Sequence, residues 1–453
     1  MLKFIHAADI HIDSPLIGLE NYESAPVEEI RGATRKALNN LINLAIEEKV
    51  SFVIISGDMY DGDWKDYNTG LFLLSRLSKL TSKGISVFIV KGNHDAESKI
   101  SRELKLPNGI NMFSSKKPET FILKELNTAI HGQSFATRAV TEDLASSYPM
   151  PVPGMLNIGV LHTSVNGREG HENYAPCSLS TLKSKNYDYW ALGHIHKREI
   201  LSEKPWIVFS GNTQGRHIRE TGAKGCMLVT ADTEAHSVVS VEFKALHALV
   251  WSFITIDISG ISETTEVVEA VSLNIEKEFI KNNKVFTVLR IILKGSCKAH
   301  RQLSLEPERW INEIRLSIAD SSFGDSVWLE KLLIKTTFES DIEEIKKRND
   351  PIGNMLKYIE SLKSGENKEN KKMIYGIISK YASDLNSKLP PELTLKLYSK
   401  VLSGSLIDSG SDSESDSESD SDSESEKFQE IITEAKEILI SHLLSQSTKD
   451  TTQ

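Results

Sequence analysis

Cysteine is scarce in this 453-residue chain: the three present, Cys177, Cys226 and Cys297, are far apart and odd in number. That excludes a disulfide framework and a zinc ribbon and leaves them as ordinary buried thiols. Long apolar runs are missing as well. No stretch approaches the roughly 20 apolar residues needed to cross a bilayer. The first residues open directly on a strand-like run, without the basic, apolar and cleavage regions of a signal peptide, so a cytoplasmic protein without membrane contact is expected. Positive charge is also in short supply, the formal net charge being -10. Asp408 and the eight acids between Ser411 and Glu426 carry nine of those charges, however, and the rest of the chain is nearly neutral. Charge therefore neither supports nor excludes a polyanionic substrate.

What is there is the composition of a globular protein, 39% hydrophobic and 26% charged, and a length beyond one usual core, so two or three domains are expected. Residues 1–240 alternate short apolar runs with amphipathic helical patterns, which favours an α/β domain with a central sheet. A helix is expected over Val27–Lys49, with Ile30, Leu38, Leu41, Ile42, Ala45 and Ile46 on one face, and another over Tyr67–Lys83. Residues 246–340 read as a small second α/β unit, with strands at Trp251–Ile258, Val285–Leu293 and Val327–Ile334 and helices ending near Lys281 and Ile318. It holds no cluster of ligand-type residues, so positioning or partner contact is its expected role. Residues 342–403 read as short, lysine-bearing helices. The Ser/Asp/Glu tract within 404–427 has nothing to bury and cannot offset the entropy of ordering. Beyond it, residues 428–447 repeat Phe428, Ile431, Ile432, Ala435, Ile438, Leu439 and Leu443 at helical spacing, an amphipathic helix suited to docking on a partner.

The chemistry gathers at the ends of apolar runs. The central one is Ile85–Asp95, whose strand closes on Gly92-Asn93-His94-Asp95; similar ends occur at Phe4–His11, Phe52–Asp58, Ile158–His162 and Trp190–His196. Taken alone, the Gly92–Asp95 stretch reads equally well as a hydrophilic turn. Five such ends are expected to converge on one sheet edge. Hydrolysis of a phosphodiester is served by two cations about 3.5–4 Å apart, and Asp58 is the candidate carboxylate bridging them. Asp9 and His11, two residues apart at a strand end, point the same way and can share one ion. His194 and His196 repeat that spacing and are expected on different ions, while Asn93 and His162 complete the set of ligands around the second ion. A donor set without thiolate suits Mn²⁺ or Fe²⁺ and tolerates Zn²⁺ or Ni²⁺. His94 is left off the ions, placed to stabilise the transferring phosphate or protonate the leaving oxygen, with Asp95 beside it to hold its ring. Arg216, His217 and Arg219 are candidates for contact with the phosphates of a polyanionic substrate, and His6 is expected in the core.

The ordered set Asp9-Ile10-His11, Gly57-Asp58-Met59-Tyr60-Asp61, Gly92-Asn93-His94-Asp95, His162 and Gly193-His194-Ile195-His196 resembles the calcineurin-like metallophosphoesterase superfamily. With His11–Leu16, Gly62-Asp63-Trp64, Gly167–Cys177 and Ser210–His217, it is similar to the DNA repair exonuclease branch, of SbcD/YhaO type. The resemblance covers residues 1 to about 235. It implies a metallophosphoesterase β-sandwich flanked by helices, with a small α/β capping domain and a helical tail. It implies a first ion on Asp9, His11, Asp58 and His196, a second on Asp58, Asn93, His162 and His194, and a catalytic His94. The cofactors expected are two divalent ions, Mn²⁺ foremost. The function implied is a DNA nuclease, a homodimer acting with an SMC-type coiled-coil ATPase in DNA repair or phage defence. Family nucleases often carry histidine where this chain has Asp61. The same two-metal core also serves small phosphodiesters and phosphoproteins, which stand as the alternative substrates.

Overall fold

Runs such as Phe52–Ser56 (β2) and Ser86–Val90 (β3) bury nearly every side chain, the behaviour of strands covered on both faces. The computed structural model describes residues 1–14, 26–61, 67–97, 106–165 and 174–339, with isolated positions between 347 and 357. Apart from those positions, the expected helices of 342–403, the acidic tract of 404–427 and the helix of 428–447 lie outside the described residues, as do Gly62-Asp63-Trp64 and Gly167–His171.

In the first sheet β1 (Leu2–Ala7), β2, β3 and β4 (Ile110–Met112) run parallel, and β11 (Gly225–Asp232) and β12 (Ser237–Ala245) extend it antiparallel beyond β1. The second sheet has the order β5 (Glu119–Leu123), β6 (Thr128–Gly132), β7 (Leu156–His162), β8 (Tyr189–Gly193), β10 (Trp206–Phe209) and β9 (Glu199–Glu203). Its four central strands are parallel and its edges antiparallel. Phe4, Phe52 and Phe88 of the first sheet and Ile130, Ile158 and Tyr189 of the second form one buried cluster, each worth roughly 1.5–3 kcal/mol of apolar burial.

Helix α1 (Val27–Glu47) starts after Pro26, which has no N–H to leave unsatisfied, and stops two residues short of the expected Lys49. Leu38, Leu41, Ile42 and Ala45 pack on Ile5, Val53 and Val87, and α2 (Tyr67–Thr81) adds Leu73, Leu77 and Leu80. Two sheets packed face to face with helices outside are the mixed α/β architecture expected. His6 is in the core: it is fully buried, with Nδ1 3.0 Å from the Tyr189 hydroxyl and Nε2 3.2 Å from the Leu192 carbonyl.

Two short helices, α3 (Asn93–Glu97) and α4 (Leu179–Ser184), precede the later elements β13 (Leu249–Asp257), α5 (Thr264–Lys281), β14 (Phe286–Cys297), α6 (His300–Leu305), α7 (Pro307–Ala319) and β15 (Val327–Phe338). β14 and β15 outrun the expected strands by four residues each at their C-terminal ends. The described chain divides into two compact units, one of Met1–Ile256, Val268–Leu293 and Ile311–Leu333, the other of Asp257–Val267, Lys294–Trp310 and the residues from Ile334 on. In the first, residues 249–256 of β13, 286–293 of β14 and 327–333 of β15 line up as a third sheet, and Ile30 and Ala33 of α1 pack on Leu249, Trp251, Val288 and Trp328. The second is knit by Thr264 to Gln302, 3.1 Å, and His300 to Thr336, 2.8 Å.

Candidate metal centre and active site

The ends of β1, β2 and β3 in the first sheet meet the ends of β7 and β8 in the second. The donors thus come from both layers of the sandwich, which corrects the expectation of one sheet edge. Side chains on the facing surfaces of two stacked sheets can close on a common point, which those of a single edge do less readily. Glycine permits the approach. A Cβ on Gly193 would stand 1.9 Å from the Ser56 carbonyl oxygen, and one on Gly92 would stand 2.2 Å from Asp58 Oδ1. The loops after β1 and β2 are zipped by Asp9 N–H to Gly57 O, 3.0 Å, and His11 N–H to Asp58 O, 3.0 Å. Asp9, His11, Asp58 and His194 sit at φ of 51°, 43°, 52° and 99°. Such backbones cost about 1–3 kcal/mol each and cluster where function over-determines the chain.

Three overlapping groups of donor atoms result, each within 4.8 Å: Asp9, His11 and His196; Asp9, Asp58 and His162; His11, Asp58 and His94. Asn93 Oδ1 joins the second at 3.0 Å from His162 Nε2. The His194 ring lies beside the His162 ring, centroids 5.2 Å apart, and its backbone N–H reaches both Asp9 oxygens at 3.1 Å. All seven expected ligands are therefore brought to one place. Asp9 and His11 join Asp58 in belonging to more than one group, which sequence spacing did not indicate.

The donor chemistry fits cations. His162 Nδ1 faces the Ser56 carbonyl at 2.9 Å, and a carbonyl only accepts, so that nitrogen carries the proton. Its Nε2 then confronts Asp58 Oδ2 at 3.3 Å and Asn93 Oδ1, both acceptors. Likewise His196 Nδ1 meets Glu220 Oε1 at 2.6 Å, turning Nε2 toward His11 Nε2 at 3.2 Å and Asp9 Oδ1 at 3.9 Å. Lone pairs so close are reconciled by positive charge between them. His11 Nδ1, moreover, is buried without a hydrogen-bond partner.

In the absence of an ion, the same carboxylates draw positive charge onto the His162 ring as a proton. Burial alone would lower the His162 imidazole, but the Asp58 and then the Asp9 carboxylates raise it to about 9. Burial would raise Asp58, and His162, His11 and His94 hold it well below the usual carboxylate range. His11 is pushed down to about 3 by burial and then by the charge of Arg216.

His94 is the second residue of α3 and is about a quarter exposed, its side chain at 28%. The expectation that Asp95 holds its ring is corrected. Asp95 is buried, with Oδ1 accepting from Met59 N–H at 2.9 Å and Tyr60 N–H at 3.1 Å and Oδ2 from Gly92 N–H at 3.1 Å. Three backbone donors draw the carboxylate inward, where it shapes the turn. Asp61 takes the expected place, its Oδ1 3.1 Å from His94 Nδ1.

Arg216 is mostly buried, with Nη1 3.1 Å from Asp61 Oδ2, while His217 and Arg219 are exposed nearby. Glu220 was missed by sequence reading. A single acid four residues beyond Arg216 carries no local mark of meeting a histidine 24 positions earlier.

Comparison with known proteins agrees with this geometry. The calcineurin-like phosphoesterase family profile matches residues 2–198, and that of the middle domain of metallophosphoesterase YhaO matches residues 251–337. The protein called uncharacterized metallophosphoesterase YhaO in Bacillus subtilis (strain 168) is 32% identical over 350 residues, covering 76% of this chain and 84% of that one. Among solved structures, a dimetal phosphatase from Danio rerio is similar at a TM-score of 0.30 and 14% identity, over 50% of this chain and 92% of its own. The Pseudomonas putida nuclease MPE is similar at a TM-score of 0.20 and 16% identity, over 49% and 81%. With a YhaO relative matched along most of its length and the donor set in place, this chain belongs to the calcineurin-like metallophosphoesterases, metal-dependent phosphoesterases, in their YhaO-type branch.

Proposed function

We propose that the chain is a DNA nuclease that hydrolyses phosphodiester bonds at a two-ion centre. The observation that carries the reaction is the pair of donor groups sharing Asp9, one through His11 and His196 and the other through Asp58 and His162. Asp58, Asn93, His162 and His194 are the residues for one divalent ion, and Asp9, His11, Asp58 and His196 for the other. Mn²⁺ is the proposed metal because imidazole, carboxylate and amide oxygen surround it without thiolate. Such ions supply positive charge against the phosphoryl oxygens and make a nucleophile available near neutral pH. His94 stands at the exposed rim, where it can donate a proton to the leaving oxygen or steady the phosphoryl group, with Asp61 setting its tautomer.

DNA as substrate is supported by the likeness of Gly167–Cys177 and Ser210–His217 to the exonuclease branch, and by exposed cations at Lys197, Arg198 and Arg219 beside the site, which suit phosphate contacts that position a strand without reading it. Residues 1–240 are proposed as the nuclease domain and 246–340 as its cap, with the tail engaging an SMC-type ATPase and a second copy of the chain completing a homodimer. Cleavage of linear duplex, linear single-stranded and closed circular DNA with Mn²⁺ tests the reading, with Asp58→Asn and His94→Ala as controls. Loss in both variants is expected. Turnover of a small phosphodiester or phosphopeptide, with every DNA form left intact both alone and with the ATPase, would move the assignment to that substrate class.

A further inference from the structure

Arg216 joins the two sides of the site. Its Nη1 lies 3.1 Å from Asp61 Oδ2 and 3.3 Å from Ser14 Oγ. Its backbone N–H donates to Glu220 Oε2 at 2.8 Å, and its Nη2 is 3.6 Å from Glu220 Oε1. Each carboxylate in turn meets one histidine: Asp61 Oδ1 meets His94 Nδ1 at 3.1 Å, and Glu220 Oε1 meets His196 Nδ1 at 2.6 Å. The path runs from the loop after β2 in the first sheet to the loop between β10 and β11. It is largely closed to water, with side-chain exposures of 18% for Asp61, 16% for Arg216 and 7% for Glu220.

We propose that Arg216 is a positioning residue: one guanidinium holds Asp61 and Glu220 in place, and through them sets the tautomer and ring orientation of His94 and His196. The inference rests on the two-ion reading for its catalytic consequence, though not for the geometry itself. A planar fork can address two carboxylates at once, which the point charge of a lysine does less well. Without it Asp61 would lose its guanidinium donor and both nearly buried carboxylates a cation; Asp61 would keep Ser14 Oγ, and Glu220 Oε2 would keep the Arg216 backbone N–H and Asn212 Nδ2, but the oxygen of each that faces its histidine would be held less firmly. Arg216 is thereby already committed within the protein, so it does not serve chiefly as a contact for DNA phosphates.

The test compares wild type with Arg216→Lys and Arg216→Gln, Arg216→Lys serving also where the glutamine variant folds poorly, as judged by thermal melting. Proton–nitrogen spectra of the histidine rings, taken on protein stripped of metal with EDTA, report each tautomer. The expected result is loss of the single Nδ1–H form of His196 and His94 in both variants. Mn²⁺ affinity is expected to weaken roughly 10- to 100-fold, and kcat on bis(p-nitrophenyl) phosphate to fall more than KM rises. Unchanged tautomers in a folded variant would overturn the proposal. So would intact Mn²⁺ binding and small-diester turnover with uniformly weaker DNA binding and a reduced salt slope, the signature of a phosphate contact. If wild type neither binds Mn²⁺ nor turns over either substrate, the two-ion reading falls, and the tautomer spectra still decide the role of Arg216.

Discussion

Glu220 shows how a residue acts through another. Burial would raise its carboxyl, yet the hydrogen-bonded His196 and the charge of Arg216 hold it well below the usual range, so it stays an acceptor. A carboxylate behind a metal-ligating imidazole fixes the ring and raises its basicity. Glu220→Gln should therefore weaken Mn²⁺ binding about 10- to 100-fold in a folded protein, as read by calorimetric titration; wild-type affinity would refute that role. His6 gives a prediction about acid. Burial pushes its imidazole down to about 3, against a smaller upward pull from the Leu192 carbonyl. The folded state thus prefers the neutral ring, while the unfolded chain takes up a proton below about 6.5. Stability is present above that pH and is lost as pH falls, by about 1.4 kcal/mol per unit from this group. Urea midpoints between pH 7.5 and 5 should fall more steeply for wild type than for His6→Gln. Parallel curves would show that another group governs the acid limb.

Among the elements, the strand ends do the placing, and glycine lets them meet. Gly92 follows β3 by two residues, and a Cβ there would press on Asp58 Oδ1 at 2.2 Å and His162 Cε1 at 2.8 Å. Both are ligand candidates held by backbone on either side, so neither yields cheaply. Gly92→Ala should abolish hydrolysis and Mn²⁺ binding together, by at least about 100-fold. Gly32, within α1, has nothing within 4 Å of a built Cβ. Gly32→Ala should instead stabilise the fold by about 0.5–1 kcal/mol and leave activity unchanged, measured by denaturation and turnover on the same preparation. An active Gly92→Ala protein would mean that the strand ends are not pressed together as described. The longer helices α1, α2, α5 and α7 were legible to within two residues, because burial on one face leaves a clear 3.6-residue period, whereas the one- or two-turn helices α3, α4 and α6 are too short to show one. The lengths of β14 and β15 were not, since their last residues, Lys294-Gly295-Ser296-Cys297 and Lys335-Thr336-Thr337-Phe338, are mostly polar or small.

For the whole molecule, the donor site joins segments from Asp9 to His196, and any ion held there binds the folded state and not the unfolded chain. Mn²⁺ should therefore raise the melting temperature, by an amount equivalent to about 2.7 kcal/mol at a hundred times its dissociation constant. EDTA should reverse the rise and Asp58→Asn should remove it. A shift retained in Asp58→Asn would place the ion elsewhere.

The sequence by itself determined which residues could serve, because each candidate ligand follows a short, largely uninterrupted apolar run of the kind that forms a strand covered on both faces, and a strand delivers its last side chains to a rim. It determined as well the family to which those motifs belong. Tertiary structure decided who meets whom. Asp61 and Arg216 are 155 positions apart, and the pairing of Asp61 rather than Asp95 with His94 turns on where three backbone N–H groups point. Strand formation is local and leaves an apolar trace in the chain; contact between loops of two stacked sheets depends on how those sheets pack, and no short stretch of sequence records it.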